Sequence, residues 1–359
     1  MKKIKIVTID DSTFIRKALR RIIESDPDLE LVGEASNGEQ GLKIVKETRP
    51  DVVTLDYKMP GMDGLKVLEE ILKFRKIPVI MISSFTREGG EITLKALERG
   101  AVDFIDKTSV ESPIEFVRLA GEIKSKIKAA ASAKVRSLVS EEREKRKVIK
   151  KEAPSVDESH YKFEKIIIIG ASTGGPQALQ YLIPSLPFGY PYPIVIIQHI
   201  PRYFSRSLAE RLNSFSKLHV VETSDGMVLL KGRVYVAQSG VHLLFGRKDS
   251  RYYIIHSQYP EDTFHKPSID VTFRSAVKIF GKKSVGILLT GMGKDGAEGL
   301  REIREAGGIT VAESSETAII YGMPKVAVEI DAAEKVLPLY EIKEFLLHLP
   351  DEHKRTSDQ

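Results

Sequence analysis

Short apolar runs that stop at a polar residue, each followed by helical spacing, recur along this chain and constrain its fold more than any other feature. Ile4 to Ile9 stops at Asp10-Asp11, Val52 to Leu55 at Asp56, and Pro78 to Ile82 at Ser83. Farther on, Lys165 to Gly170 leads to Ser172, Pro193 to Gln198 to His199, and Ser284 to Leu289 to a glycine-rich loop containing Asp295. Between these runs Ile15, Leu19 and Ile22-Ile23 keep helical spacing, and Ser12 stands where it caps that helix. Strands alternating with helices predict parallel sheets covered on both faces. Such sheets bind ligands beyond the carboxyl ends of their strands, where these polar residues fall.

With 359 residues the chain has length for two domains with full cores. The absence of cysteine excludes disulfides, thiolate catalysis and cysteine-held metals. The net charge of +5 lacks the aromatic interleaving of a nucleic-acid surface, and no helix-turn-helix is evident. The apolar run after Met1-Lys2-Lys3 is too short for a signal peptide, and no stretch has transmembrane length. The expectation is a soluble cytoplasmic protein with no membrane insertion and no nucleic-acid partner.

In the first unit, set at residues 1–123, Asp10, Asp11 and Asp56 gather on adjoining loops. Clustered carboxylates repel one another and invite a hard cation, for which Mg2+ is suited. One carboxylate then serves as nucleophile toward phosphorus. Lys107 and Ser83, after later strands, are placed to meet phosphoryl oxygens. Thr8-Ile9-Asp10-Asp11-Ser12, Leu55 through Gly64, Ser83-Ser84 and Asp103 through Lys107 resemble the response-regulator receiver domain. That resemblance implies a flavodoxin-like, five-stranded parallel sheet. It implies Asp56 as phosphoryl acceptor and Asp10, Asp11, Asp56 and the Lys58 carbonyl as Mg2+ ligands. Ser83, Phe104 and Lys107 become the phosphoryl-sensing residues.

Residues 124–160 are dense in charge, with Lys124, Lys126, Lys128, Lys134 and Arg136 crowded together. They read as a solvated linker whose start extends the preceding helix, Ala129-Ala130-Ala131 favouring helix. Residues 161–349 form the second unit and 350–359 a polar tail.

In the second unit, Gly170-Ala171-Ser172-Thr173-Gly174-Gly175-Pro176 predicts a tight strand-to-helix turn exposing a hydroxyl. Alone it also reads as an anion-binding loop, without the lysine of a Walker A motif or the GxGxxG pattern. His199 and Asp295 share its sheet edge. Acyl transfer needs these three types: a serine nucleophile, a histidine that takes and returns its proton, and an aspartate that orients the imidazole. The order Ser, His, Asp differs from that of the α/β-hydrolases, where the acid precedes histidine.

Ile169 through Pro176, Gln198-His199-Ile200-Pro201 and Leu289 through Gly296 closely resemble the chemotaxis receptor methylesterases, and the likeness spans nearly the whole chain. The family implies a doubly wound catalytic domain with a mainly parallel sheet. It implies Ser172 as nucleophile, His199 as general base and acid, and Asp295 as its orienter. The Met292 backbone N–H and the turn after Ser172 become oxyanion donors, and Thr173 a support. Its substrates are glutamate methyl esters on the cytoplasmic helices of methyl-accepting chemotaxis receptors, with deamidation of receptor glutamines by the same triad. A chemotaxis histidine kinase is the implied phosphodonor. The esterase chemistry needs no cofactor, and the protein would gather at membrane receptor arrays.

Other polar residues have plain readings: His242 as packing or surface polarity, Asp270 as a helix cap, and Arg202, Arg206 and Arg211 as surface charge. Against the esterase stand a binding module with a degraded catalytic domain, a transcriptional regulator, and a general small-ester hydrolase.

Overall fold

The computed structural model of the chain describes residues 2–83, 87–106, 113–133, 148–149, 157–202 and 204–357. It divides into two compact units, Met1–Ser137 and Leu138–Gln359.

The first unit alternates strictly: β1 Ile4–Ile9, α1 Thr13–Glu24, β2 Leu29–Ala35, α2 Gly38–Thr48, β3 Val52–Asp56, α3 Gly64–Phe74, β4 Val79–Ser83, α4 Arg87–Glu98, β5 Asp103–Asp106 and α5 Pro113–Ala131. All the strands run parallel, in the order β2-β1-β3-β4-β5. β3 is buried throughout, as a strand covered on both faces must be. α1 turns Ile15, Ala18, Leu19, Ile22 and Ile23 inward, and the Ser12 side chain caps it by accepting from Ile15 N–H. Asn37 and Asp63 cap α2 and α3 in the same way. α5 continues past residue 123 to Ala131, into the segment read as connector.

The second unit holds β6 Ile166–Ala171, α6 Gly175–Leu182, β7 Ile194–Gln198, α7 Phe204–Phe215, β8 His219–Glu222, β9 Arg233–Val236, β10 His242–Lys248, β11 Arg251–Ser257, α8 Ile269–Phe280, β12 Ser284–Leu288, α9 Ala297–Glu305, β13 Ile309–Glu313, α10 Met323–Glu329, β14 Lys335–Leu337 and α11 Leu339–Ser357. Its main sheet has the order β14-β13-β12-β6-β7-β9-β8, every pairing parallel. β10 and β11 form a separate antiparallel hairpin. Phe245 and Ile254 of that hairpin join Phe273 and Phe280 of α8 in the core. Each such side chain contributes about 1.5–3 kcal/mol by leaving water.

From β6 the chain adds β7, goes on to β8 at the edge and comes back to insert β9 between them. It then returns to lay β12, β13 and β14 on the other. The strand order therefore reverses between β6 and β12, where crevices open at the carboxyl ends of such sheets. Among the described residues no helix is long and apolar enough to cross a membrane.

Candidate active site

In the first unit Asp10 follows β1 and Asp56 ends β3, the strands flanking that sheet's own reversal point. Both are buried and Asp11 is exposed, yet one oxygen from each lies within 4.8 Å of the others. Asp10 Oδ1 accepts from Ser12 N–H at 2.8 Å. The Arg16 guanidinium donates to the carbonyls of Asp10 and Asp11 at 2.7 and 3.0 Å, fixing their loop. α3 starts so close to Asp56 that a Cβ on Gly64 would lie 2.2 Å from the Asp56 carbonyl oxygen. An all-oxygen donor set on adjoining loops fits a hard divalent cation such as Mg2+. Lys58 follows on the loop after β3, and Ser83 ends β4. Lys107 lies outside the described residues.

Phe104 is packed inward in β5, 5% exposed. The Lys126 ammonium lies 5.1 Å from its ring centroid and donates to its carbonyl at 2.6 Å. Lys126 also pairs with Asp103 at 3.3 Å, and Lys128 with Asp26 and Asp28 at 3.0 and 2.7 Å. Both lysines lie on α5, the helix that the connector's start was expected to extend, and they belong to the unit's own ion pairs rather than to a solvated linker.

In the second unit the three sequence candidates follow β6, β7 and β12, at the point where strand order reverses. The turn after β6 needs its glycines. Gly174 has φ +81, and a Cβ on Gly175 would lie 2.0 Å from Gln198 Oε1. Gln198 ties the serine and histidine segments together, its Nε2 donating to the Ser172 carbonyl at 2.8 Å and the His199 carbonyl at 3.0 Å. The backbone adds His199 N–H to Ala171 O, at 2.9 Å, and Ser172 N–H to Thr290 O, at 3.0 Å.

His199 and Asp295 meet directly, Nε2 to Oδ2 at 2.8 Å. The His199 side chain is only 4% exposed, and its Nδ1 is buried with no hydrogen-bond partner. Ser172 Oγ is therefore not bonded to the imidazole here. Such bonds commonly close only when substrate arrives. Asp295 also accepts from Ser268 Oγ at 2.9 Å, Ile269 N–H at 2.8 Å and Asp270 N–H at 3.1 Å. Burial pushes its pKa up, but the His199 hydrogen bond and charge and the backbone donors outweigh this and hold it well below the carboxylate range. Asp270 moves the other way. Burial and the Asp295 charge push it up to about 6 against a hydrogen bond from Gly299 N–H.

One plain reading needs correction, and another is sharpened. Asp270 does not cap α8. Ser268 does, accepting from Val271 N–H, because Asp270 already lies inside the first turn and faces Gly299. His242 is fully buried, and it fastens a loop: Nδ1 accepts from Ser268 N–H at 3.2 Å, and Nε2 donates to the Pro260 carbonyl at 3.0 Å. Burial lowers its pKa, in keeping with this neutral tautomer. Arg206 pairs with Glu210 on the exposed face of α7, and Arg211 lies over the Phe215 ring.

Further side chains surround these three. His265 stacks on His199, ring centroids 3.8 Å apart and planes 20° from parallel. Glu313, buried at the end of β13, accepts from Thr290 N–H at 2.8 Å and Thr317 Oγ1 at 2.9 Å. Thr290 Oγ1 in turn donates to the Thr173 carbonyl at 2.9 Å. Thr173 is buried, and Met292, on the loop that begins at Thr290, is half-buried. The arrangement brings a hydroxyl, an oriented imidazole and a helix N-terminus to one crevice, the elements of nucleophilic acyl transfer.

Residues 167–346 match the family described as CheB methylesterase, and residues 6–115 the response regulator receiver domain. A protein-glutamate methylesterase/protein-glutamine glutaminase of Caldanaerobacter subterraneus subsp. tengcongensis is 42% identical over 365 residues, covering 99% of this chain and 99% of its own. Its namesake from Pyrococcus abyssi is 43% identical over 350 residues, covering 96% of this chain and 92% of its own. The crystal structure of the Thermotoga maritima CheB methylesterase catalytic domain is similar with TM-score 0.51 and 40% identity, covering 52% of this chain and 98% of that one.

Proposed function

Because this chain belongs to the protein-glutamate methylesterase/protein-glutamine glutaminase family, an enzyme family of receiver and esterase domains, we propose that it hydrolyses glutamate methyl esters on the cytoplasmic helices of chemotaxis receptors. It releases methanol and also deamidates receptor glutamines. Ser172, His199 and Asp295 carry the chemistry.

The observation that supports this most is the oriented imidazole: Nε2 held by Asp295 at 2.8 Å, Nδ1 buried and unpartnered, next to the Ser172 turn. His199 Nδ1 takes the Ser172 hydroxyl proton as Oγ attacks the ester carbonyl. The tetrahedral oxyanion lies toward the turn after Ser172 and the Met292 backbone N–H. Collapse expels methanol, which receives the proton from Nδ1 and leaves an acyl-serine. Water then gives a proton to Nδ1 and attacks the acyl carbon, regenerating serine and leaving glutamate. With glutamine the leaving group is ammonia and the steps are the same. Thr173 supports the nucleophile turn through its carbonyl bond to Thr290.

Asp56 accepts a phosphoryl group from a chemotaxis histidine kinase. Asp10, Asp11, Asp56 and the Lys58 carbonyl would hold Mg2+, which would supply neutralising charge for that transfer. Ser83, Phe104 and Lys107 respond to the added charge of roughly −1.5 to −2. The response relieves inhibition of the esterase by the receiver unit. The protein works in the cytoplasm, at receptor arrays.

The test is methanol release from methylated receptor cytoplasmic fragments, with and without a small phosphodonor and Mg2+. Release that the phosphodonor stimulates and S172A abolishes is the expected result. Undiminished release by S172A would overturn the nucleophile assignment.

A further inference from the structure

Phe264 and Phe188 are the most exposed large apolar side chains among the described residues, each 80% exposed. Phe188 precedes β7, at the sheet edge away from the site. Phe264 lies at the site itself. Its ring meets His265 edge-on at 4.7 Å between centroids, and His265 stacks on His199 at 3.8 Å. Tyr259, on the same ribbon, is 70% exposed.

The ribbon is held at many points. Buried His242 takes Ser268 N–H on Nδ1 and donates from Nε2 to Pro260 O, and Thr263 Oγ1 lies 3.1 Å from that nitrogen. Lys266 Nζ donates to Gln258 O at 2.9 Å, and Gly240 N–H to Lys266 O at 2.9 Å. At its end Ser268 hydrogen-bonds Asp295. An exposed phenyl ring on a ribbon fixed to the orienting carboxylate is preorganised for contact, because little ordering entropy is left to lose. Ribbon charges are mixed, with Glu261, Asp262 and Lys266, so the ring rather than a net field distinguishes this rim.

We propose that Phe264 is the apolar grip for the protein segment carrying the scissile glutamyl group, a surface helix with an apolar side chain beside the ester or amide. This rests on the protein-ester reading above. A glutamyl side chain is short, so the backbone bearing it must come within one side-chain length of Ser172. Phe264, two ring contacts from the catalytic imidazole, stands where that backbone passes. Covering the ring favours protein-borne esters over small ones, which cannot reach it.

The experiment compares wild type, F264A and F264L in the full chain on a methylated receptor cytoplasmic fragment and on para-nitrophenyl acetate. F264A should lower the ratio of kcat/KM on the fragment to that on the small ester by roughly ten- to a hundred-fold, the worth of one buried aromatic side chain. The loss should lie mainly in KM, as for binding uniform between ground and transition states. F264L should restore part of it. An unchanged ratio would overturn the grip, because both substrates would then depend on Phe264 equally or not at all. A rise in fragment turnover without phosphodonor would also overturn it, assigning the ring to the receiver unit as occupant. Wild type that cleaves the small ester but not the fragment would instead refute the substrate reading itself.

Discussion

Asp295 holds His199 by Nε2, at 2.8 Å, and leaves Nδ1 as the nitrogen that can accept a proton. In the serine-protease triad the aspartate takes Nδ1 and the serine uses Nε2. The imidazole here is turned end for end, and the neutral tautomer that the proposed triad requires carries its proton on Nε2.

Replacing Asp295 with asparagine should therefore fail through the wrong tautomer. An amide N–H facing Nε2 favours Nδ1–H, which cannot receive the Ser172 proton. For D295N we expect kcat for methanol release to fall roughly a thousand- to ten-thousand-fold, with a smaller change in KM. Retained kcat in a folded variant would contradict the orienting role.

Gly175 should not tolerate alanine. The new Cβ would lie 2.0 Å from Gln198 Oε1, and that amide holds the carbonyls of both Ser172 and His199. Relief of the clash would move Ser172 and His199, the proposed nucleophile and base, apart. G175A should lose about 1–3 kcal/mol of stability and roughly a hundred-fold in kcat. Denaturant melts and steady-state kinetics test both; wild-type kinetics would show that Gln198 can shift harmlessly.

Glu313 makes stability depend on pH in an unusual direction. Burial pushes its carboxyl from 4.5 up to about 7, against hydrogen bonds from Thr290 N–H and Thr317. The folded protein thus keeps a proton that the unfolded chain releases. Stability from this group is full below about 4.5, declines as pH rises, and is gone above about 7. The span is worth on the order of 3 kcal/mol. E313Q, neutral at every pH, should flatten this slope and match or exceed wild type at alkaline pH. Urea melts across the range decide it, and an unchanged slope would place the titration elsewhere.

Metal removal should separate the two units' chemistries. Asp10, Asp11 and Asp56 offer oxygens within 4.8 Å of one another, whereas the proposed acyl-transfer triad works through proton transfer alone. Chelation should abolish stimulation by a phosphodonor and leave basal ester hydrolysis intact. D56N should behave as chelated wild type does. Basal activity that fell with chelation would argue against a metal-independent triad.

Much of this arrangement was legible in the sequence because its signals are local. Apolar runs of strand length, glycine and proline at their ends, and helical spacing between them place Asp10, Asp56, Ser172, His199 and Asp295 at carboxyl ends of strands. Boundaries moved by about a residue, as with the run Ser284 to Leu289, observed as a strand over Ser284–Leu288. The start of each element follows from its own caps and turns, such as Ser12, Asn37 and Asp63.

What the sequence does not carry is which strand lies beside which. β6 (IIIIGA), β7 (IVIIQ) and β12 (SVGIL) are all buried apolar runs, and nothing in their patterns says that β12 pairs with β6. That pairing creates the reversal point and sets Asp295 against His199, 96 residues away. The supporting contacts depend on the same long-range packing: Gln198 to Ser172, Ser268 to Asp295, Glu313 to Thr290. So do the burial of His242 and the pairing of Lys126 with Asp103, which in sequence are ordinary polar residues of a strand end and a charged stretch. Local periodicity determines an element and its buried face. The partner that a polar group finds there is decided only when distant segments close around it, because an unpaired polar group in that interior is costly.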